Sequence, residues 1–219
     1  MNSSASADPR LAHLARVDKR LGRLIAKVGP CALALLPPGR APALMQGSPY
    51  AALARSVIYQ QLSGKIAAII LGRVKAIYGL GAAEESVFPA PADLLATADE
   101  PLRAAGLSRA KLAAIRGLAE AALSGVIPTR EVIATMDDEA IVAQLTTLRG
   151  IGRWTVEMLL MFHLARPDVL PATDYGVRAG FKLLYKKKEL PTPRELLAYG
   201  ERWRPWRSTA AWYLWRALD

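Results

Sequence analysis

The sequence predicts an all-α protein, and three observations carry that prediction. Hydrophobic residues make up 52% of the 219, most of them Ala and Leu, which favour helix over sheet. Apolar positions recur at three- and four-residue spacing along most of the chain, as on the buried stripe of a helix. No segment shows the strict alternation of a half-buried strand, and there is no internal repeat beyond a general helix-turn-helix texture.

Taken in order, residues 1–9 are small and polar and read as disordered. From Arg10 to Val28, Leu11, Leu14, Val17, Leu21, Leu24 and Ile25 predict one helix. Pro37-Pro38-Gly39 breaks the chain, and residues 37–48 read as a linker. Ser48-Pro49 starts a helix that carries Tyr50, Leu53, Val57 and Ile58 and runs to about Gln61. Ser63-Gly64 interrupts it before a second helix to about Tyr78, so Gln60-Gln61-Leu62 falls at a junction. Residues 81–92 form a loop with Pro89 and Pro91, followed by helical patterns near 92–97 and 100–105. Gly106-Leu107-Ser108 reads as a C-cap and then an N-cap. Residues 109–123 are strongly helical and basic on one face through Arg109, Lys111 and Arg116.

Gly125 to Pro128 is another break, and Asp137 or Asp138 caps the helix leading to Leu148. Arg153-Trp154-Thr155 opens the next helix, to about Ala165. Pro167 and Pro171 bracket a loop with Asp168, and further helices fit 174–185, 193–203 and 206–218. The division expected is 1–48 as an N-terminal helix and linker packing with a C-terminal lobe, 49–166 as a helical lobe, and 167–219 as the C-terminal lobe.

Composition narrows the function. One cysteine, Cys31, excludes an internal disulfide and any cluster needing four thiolates, and it reads as a small buried apolar residue. The start of the chain lacks the basic-then-apolar pattern of a signal peptide. The longest apolar run, Ile66 to Leu71, is far short of the roughly 20 residues that span a bilayer. A soluble, cytoplasmic protein is the expectation. Net charge is +10, and ten Lys/Arg against three Glu lie between Arg178 and Arg216. That balance attracts polyanions, with nucleic acid the natural partner and membrane surfaces or acidic proteins open on charge alone. His13 and His163 are isolated and lack ligand spacing, so zinc is not expected; His163 reads as a helix-face residue and Glu157 as a surface charge.

The most informative stretch is residues 145–178, LTTLRGIGRWTVEMLLMFHLARPDVLPATDYGVR. In Leu148-Arg149-Gly150-Ile151-Gly152-Arg153-Trp154-Thr155 two glycines allow a sharp turn and a close backbone approach. The helix that follows aims its unpaired amides and positive dipole end outward, which suits a phosphate. A plain helix–helix turn fits the same residues. Asp174 follows the apolar stretch Val169, Leu170, Pro171, Ala172 and precedes another helical pattern.

With SVIYQQLSGKIAA at 56–68, GLSRAKLAAIRGLA at 106–119 and ERWRPWRSTAAWYLW at 201–215, these stretches resemble the helix-hairpin-helix (HhH-GPD) superfamily of base-excision DNA glycosylases. Within it the chain looks like the 3-methyladenine DNA glycosylase II (AlkA-like) group, over roughly residues 50–216 and in the family's order. The resemblance implies an all-α, two-lobed helical bundle with a helix-hairpin-helix motif and a DNA-binding cleft between the lobes. It implies a monofunctional hydrolase of base excision repair that acts as a monomer on double-stranded DNA, nucleoid-associated if bacterial. Such an enzyme would flip out alkylated bases such as 3-methyladenine and 7-methylguanine and leave an abasic site. Rival readings are a helix-hairpin-helix glycosylase for a mismatched or oxidised base and a non-catalytic DNA-binding protein.

Residue by residue, Asp174 matches the catalytic aspartate, and a helix N-cap reading is compatible with that role. A fixed carboxylate stabilises the oxocarbenium character of the sugar as the base departs. Trp154 stands where bifunctional relatives hold a lysine nucleophile, so base excision without strand cleavage is expected. Trp154 and Trp215 match pocket aromatics that hold a cationic base through the ring quadrupole. Trp215 reads from the residues alone as core of the last helix, and Tyr175 is a further pocket candidate. Met158 replaces an aromatic of the best-known members and Thr173 stands where some relatives have a second acid. Longer relatives carry an N-terminal mixed α/β domain for which this chain has no room. These departures imply a more open pocket, with a range extending to 1-methyladenine or 3-methylcytosine.

Leu62, with Gln61 beside it, matches the wedge that fills the gap left by the extruded nucleotide, or else covers an inter-helix gap. Gly150, Gly152, Arg149, Arg153 and the Thr155 hydroxyl are expected at DNA phosphate. Lys111 reads equally as a DNA contact and as a solvated lysine, and Lys186-Lys187-Lys188 as a solvated run or a phosphate contact. No cofactor is required; the carbonyls of Thr146, Leu148 and Ile151 match those that hold a monovalent cation, Na+ or K+, in the family.

Overall fold

A computed structural model describes residues 8–31, 33, 47–81 and 87–219. Most of the expected linker at 37–48, residues 1–7 of the disorder expected over 1–9 and part of the loop at 81–92 lie outside the described residues; Asp8 and Pro9, expected to be disordered, instead cap and open a helix. Those described form thirteen α-helices and no strand. The helices are α1 Pro9–Val17, α2 Lys19–Val28, α3 Pro49–Tyr59, α4 Gly64–Ile77, α5 Pro91–Ala96, α6 Asp99–Ala104 and α7 Arg109–Leu123. Then come α8 Arg130–Thr135, α9 Asp138–Leu145, α10 Arg153–Phe162, α11 Tyr175–Tyr185, α12 Pro193–Gly200 and α13 Arg207–Arg216. A 3-10 turn, Glu201–Trp203, follows α12. None of these helices is long and apolar enough to cross a membrane. The chain divides into two compact units, Met1–Ala41 with Ala165–Asp219, and Pro42–Leu164.

Polar caps set most of the helix starts. Ser48, Ser63, Ser108, Thr129, Asp137, Asp174 and Thr192 each accept a backbone amide of the first turn, satisfying donors that have no partner inside the helix. The helix α8 was not legible in the sequence, where residues 125–137 read only as a break before a cap.

In the Pro42–Leu164 unit, α7 is the central helix, with α3, α5 and α6 packed on it. Leu112, Ile115, Leu118 and Ala119 of α7 are buried, as are Leu53, Ala54, Val57 and Ile58 of α3. Of the basic face expected on α7, Arg109 is exposed, but Lys111 and Arg116 end on neighbouring carbonyls. The Arg116 guanidinium donates to the carbonyls of Leu95 at 3.1 Å and Thr97 at 2.6 Å, and to Asp99 at 2.6 Å. A cation at the end of α5 satisfies its last carbonyls and opposes its dipole. Lys111 does the same for α3, as described below. His163 and Glu157, expected on a helix face and at the surface, are both buried at the packed side of α10.

In the other unit, the single helix expected over 10–28 is two. Asp18 breaks it with an extended backbone (φ −143°) and caps α2 through the amides of Arg20 and Leu21, both at 3.1 Å. The other carboxylate oxygen accepts from the Tyr185 hydroxyl at 2.5 Å, the Trp203 indole at 3.0 Å and the Tyr199 hydroxyl at 3.3 Å. The side chain is buried. Burial alone would raise its pKa, but the bonds from Tyr185, the Leu21 amide, Trp203 and the Arg20 amide prevail and hold it below its ordinary 3.8. Asp18→Ala leaves buried donors without an acceptor and is expected to cost roughly 2–4 kcal/mol, read from the denaturant midpoint. Because the folded value is the lower one, the ionised carboxylate stabilises fully above the unfolded value of 3.8 and loses that effect as pH falls through the folded value. Stability measured on acidification should therefore fall more steeply below about pH 4 in the wild type than in Asp18→Asn.

The same unit contains a close helix crossing. A Cβ on Gly180 would lie 1.8 Å from the Leu214 carbonyl oxygen, so α11 and α13 pack backbone to backbone. Gly176, one turn earlier on the same face of α11, meets Trp215. Two glycines at i and i+4 thus let α13 lie against the first half of α11.

Candidate active site

Asp174 sits at the N-cap of α11, half-buried, with φ −65° and ψ 126°. The loop before it is fixed at several points. Ser208 donates its hydroxyl to the Arg166 carbonyl at 2.7 Å and accepts the Val169 amide at 2.9 Å. Arg207 pairs with the Asp168 carboxylate at 2.8 Å and donates to the Asp168 carbonyl at 2.8 Å, and Arg204 binds the same carboxylate. The Asp174 amide donates to the Pro171 carbonyl at 3.0 Å. One carboxylate oxygen, Oδ1, then accepts from the Val177 amide at 2.7 Å and from the Trp215 indole at 2.8 Å. The N-cap role expected for Asp174 is present. Trp215, read from the residues alone as core of the last helix, is instead half-buried and turned onto this carboxylate.

The space around that pair is tight. A Cβ on Gly176 would fall 2.8 Å from Trp215 Cδ1, 3.0 Å from its Nε1 and 3.1 Å from Asp174 Oδ1. Glycine at 176 is thus a condition of the Asp174–Trp215 bond, a signal readable in D-Y-G only once Trp215 is known to be there. Tyr175 is 71% exposed, so its ring projects into solvent rather than into the core.

The hairpin lies in the other unit, between α9 and α10. Gly150 takes φ +81°, a left-handed conformation that glycine adopts without strain. A Cβ there would also come 3.1 Å from that of Ala114 on α7. Ile151 turns inward and is buried. Gly152 is the N-cap of α10, where no side chain caps the first turn. Arg149, Gly150 and Gly152 are exposed. Trp154 is 40% exposed, and Met158, one turn on, is half-buried.

Two expected phosphate contacts are directed elsewhere. Thr155 is buried, and its hydroxyl faces the Gln60 amide at 3.4 Å, because Gln60 fills the space beneath the turn. Arg153 is exposed but its guanidinium binds both oxygens of Glu139, at 3.0 and 2.5 Å, which neutralises it locally. The buried Glu157 lies 3.8 Å from the same guanidinium.

Lys111 is half-buried rather than a freely solvated lysine. Its ammonium donates to the carbonyls of Ile58 at 2.7 Å and Gln60 at 2.8 Å, and burial pushes its pKa below the ordinary 10.5. Beyond α3, Gln61 is exposed and left-handed (φ 57°), and Leu62 is half-buried. At the carbonyls expected to hold a cation, the Leu148 oxygen accepts the Ile151 amide at 3.1 Å and keeps a second lone pair. Thr146 caps α9 and places its hydroxyl on the Val142 carbonyl at 2.7 Å. Backbone carbonyls are neutral oxygen donors of the kind that bind monovalent ions.

Residues 54–205 match the HhH-GPD superfamily base excision DNA repair protein family. Over 204 residues, 93% of this chain and 84% of the relative, the sequence is 39% identical to DNA-3-methyladenine glycosylase 1 of Schizosaccharomyces pombe. The fold superposes with a TM-score of 0.80 on the S. pombe 3-methyladenine DNA glycosylase Mag1 in complex with abasic DNA, at 38% identity, covering 94% of this chain and 95% of that one. It matches the DNA-3-methyladenine glycosidase of Bacillus halodurans equally, with a TM-score of 0.80 at 33% identity and coverage of 99% and 92%. With its hairpin, its capped aspartate and a match over most of its length, the chain belongs to the HhH-GPD superfamily of base excision DNA repair proteins.

Proposed function

We propose that the protein is a monofunctional DNA glycosylase that hydrolyses the N-glycosidic bond of flipped-out alkylated bases. The observation that carries this is the Asp174 carboxylate, immobilised by the Val177 amide and the Trp215 indole on one oxygen. A carboxylate held in one orientation stabilises positive charge at C1′ as the base leaves, and it orients the attacking water without reorganising. Trp215 adds an aromatic face beside the acid, and the exposed rings of Trp154 and Tyr175, with Met158, are assigned to the base. Trp154 offers no amine for a Schiff base, so the product is an abasic site in an uncut strand.

Leu62, with Gln61, is assigned as the wedge. The amides of Gly150, Gly152 and their neighbours, with Arg149, are assigned to DNA phosphate, a contact independent of sequence. Arg153 joins them only by giving up Glu139. A monovalent cation at the Thr146, Leu148 and Ile151 carbonyls would stiffen the hairpin. On this reading the protein acts as a monomer in the cytoplasm, on the nucleoid if its source is bacterial.

Base release from methylated duplex DNA, with alkali added or omitted, tests the reading. Release of 3-methyladenine and 7-methylguanine with strand breaks only after alkali is expected. Scission without alkali would overturn the monofunctional assignment, and DNA binding without release would favour a non-catalytic protein. Parallel oligonucleotides bearing 1-methyladenine, 3-methylcytosine, a mismatch or an oxidised base define the range.

Gly176→Ala separates stability from activity. Alanine is favoured in a helix by about 1 kcal/mol, so thermal stability should hold roughly level. The added methyl displaces the Trp215 indole from Asp174, and base release is expected to fall about tenfold or more. Melting and single-turnover release on the same preparation check this.

A further inference from the structure

Helix α7 reaches two different loops from one face. Lys111 holds the carbonyls of Ile58 and Gln60, at the end of α3, and Ala114, three residues on, lies under Gly150 of the hairpin. Gln60 joins the two loops directly: its side-chain amide donates to the Gly150 carbonyl at 3.0 Å and faces the Thr155 hydroxyl at 3.4 Å. The next residue, Gln61, is left-handed at φ 57°, a conformation that is unfavourable for a residue with a side chain. The Leu62 amide then returns to the Tyr59 carbonyl at 3.3 Å, and Ser63 starts α4. A strained tip of this kind persists only where its surroundings fix it.

We infer that Lys111 and Gln60 are positioning residues that lock the Gln61-Leu62 tip to the hairpin, so that wedge and phosphate grip act as one rigid body. This rests on the wedge role proposed above. Neither side chain needs to touch the reacting atoms. Extruding a paired nucleotide works against stacking and pairing, and a tip that yields under that load fails to hold the base out. Loosening it should therefore slow extrusion and spare the chemical step.

Lys111→Met removes both donors at nearly constant length, and Gln60→Met, at a half-exposed helix end, removes the bond to the hairpin while keeping the fold. Each is compared on a lesion in a normal pair and on the same lesion opposite an abasic-site analogue, where no partner base resists extrusion. Release from the paired lesion is expected to fall about 10–100-fold, and from the unpaired lesion less than about threefold. Equal losses on both substrates, or none on either, would overturn the inference. A second measurement does not depend on catalysis: the fluorescence of a 2-aminopurine facing an abasic-site analogue, which changes as the wedge enters. A weaker response in both variants supports the inference. A response identical to wild type overturns it, and a wild type with no response removes the wedge and this inference together. A wild type that responds but releases no base sinks the glycosylase reading alone.

Discussion

Asp174→Asn is expected to lower base release from methylated DNA by about 10²–10⁴-fold while leaving the fold intact. Asparagine is as good an N-cap as aspartate, and its side-chain oxygen still accepts from the Val177 amide and the Trp215 indole. The substitution removes the negative charge and little else. Asp174→Ala is less informative, since it also removes a cap worth about 1 kcal/mol. Single-turnover base release and a thermal melt on the same sample decide the matter. Wild-type rates in the Asn variant would mean that no anion at this position assists the departing base, and the enzymatic assignment would lose its principal residue.

Gly180→Ala should have a large effect on stability, comparable to that of Asp18→Ala. The new methyl would meet the Leu214 carbonyl at 1.8 Å for oxygen and 2.6 Å for carbon. Both are backbone atoms, so no side chain can rotate aside and α13 must move. The gain of about 1 kcal/mol in helix propensity does not offset a displacement of that kind. A net loss of roughly 2–4 kcal/mol is expected from the denaturant midpoint. Trp215 follows Leu214, so base release should fall as well. A variant as stable as the wild type would show that the two helices do not touch through their main chains.

Much of the secondary structure was legible because its signals are local. Ser48-Pro49, Ser63-Gly64 and Ser108 mark helix starts through their own side chains, and Gly150-Ile151-Gly152 marks a turn that tolerates a left-handed residue. The break at Asp18 was hidden because the apolar spacing runs through it in phase, with Leu14 and Leu21 both buried. What distinguishes Asp18 is a set of partners far along the chain. The burial of Glu157 and the carbonyl partners of Lys111 and Arg116 were hidden for a related reason. A charged residue on a helix is solvated by default, and only the packed fold shows that two of these cations end on the carbonyls of neighbouring helices. The Trp215–Asp174 bond joins residues 41 apart in sequence, and neither G-x-x-x-G nor D-Y-G announces it without the second helix in place.

The carboxylate at Asp18 also bears on how the molecule is made. Its tertiary donors Tyr185, Tyr199 and Trp203 lie 167, 181 and 185 residues downstream. A ribosome delivers the first two helices early, then the whole Pro42–Leu164 unit, and only afterwards the phenols and indole that receive Asp18. Contacts so distant along the chain close slowly. The Asp18 carboxylate can therefore receive these partners only after residues 185–203 have been synthesised.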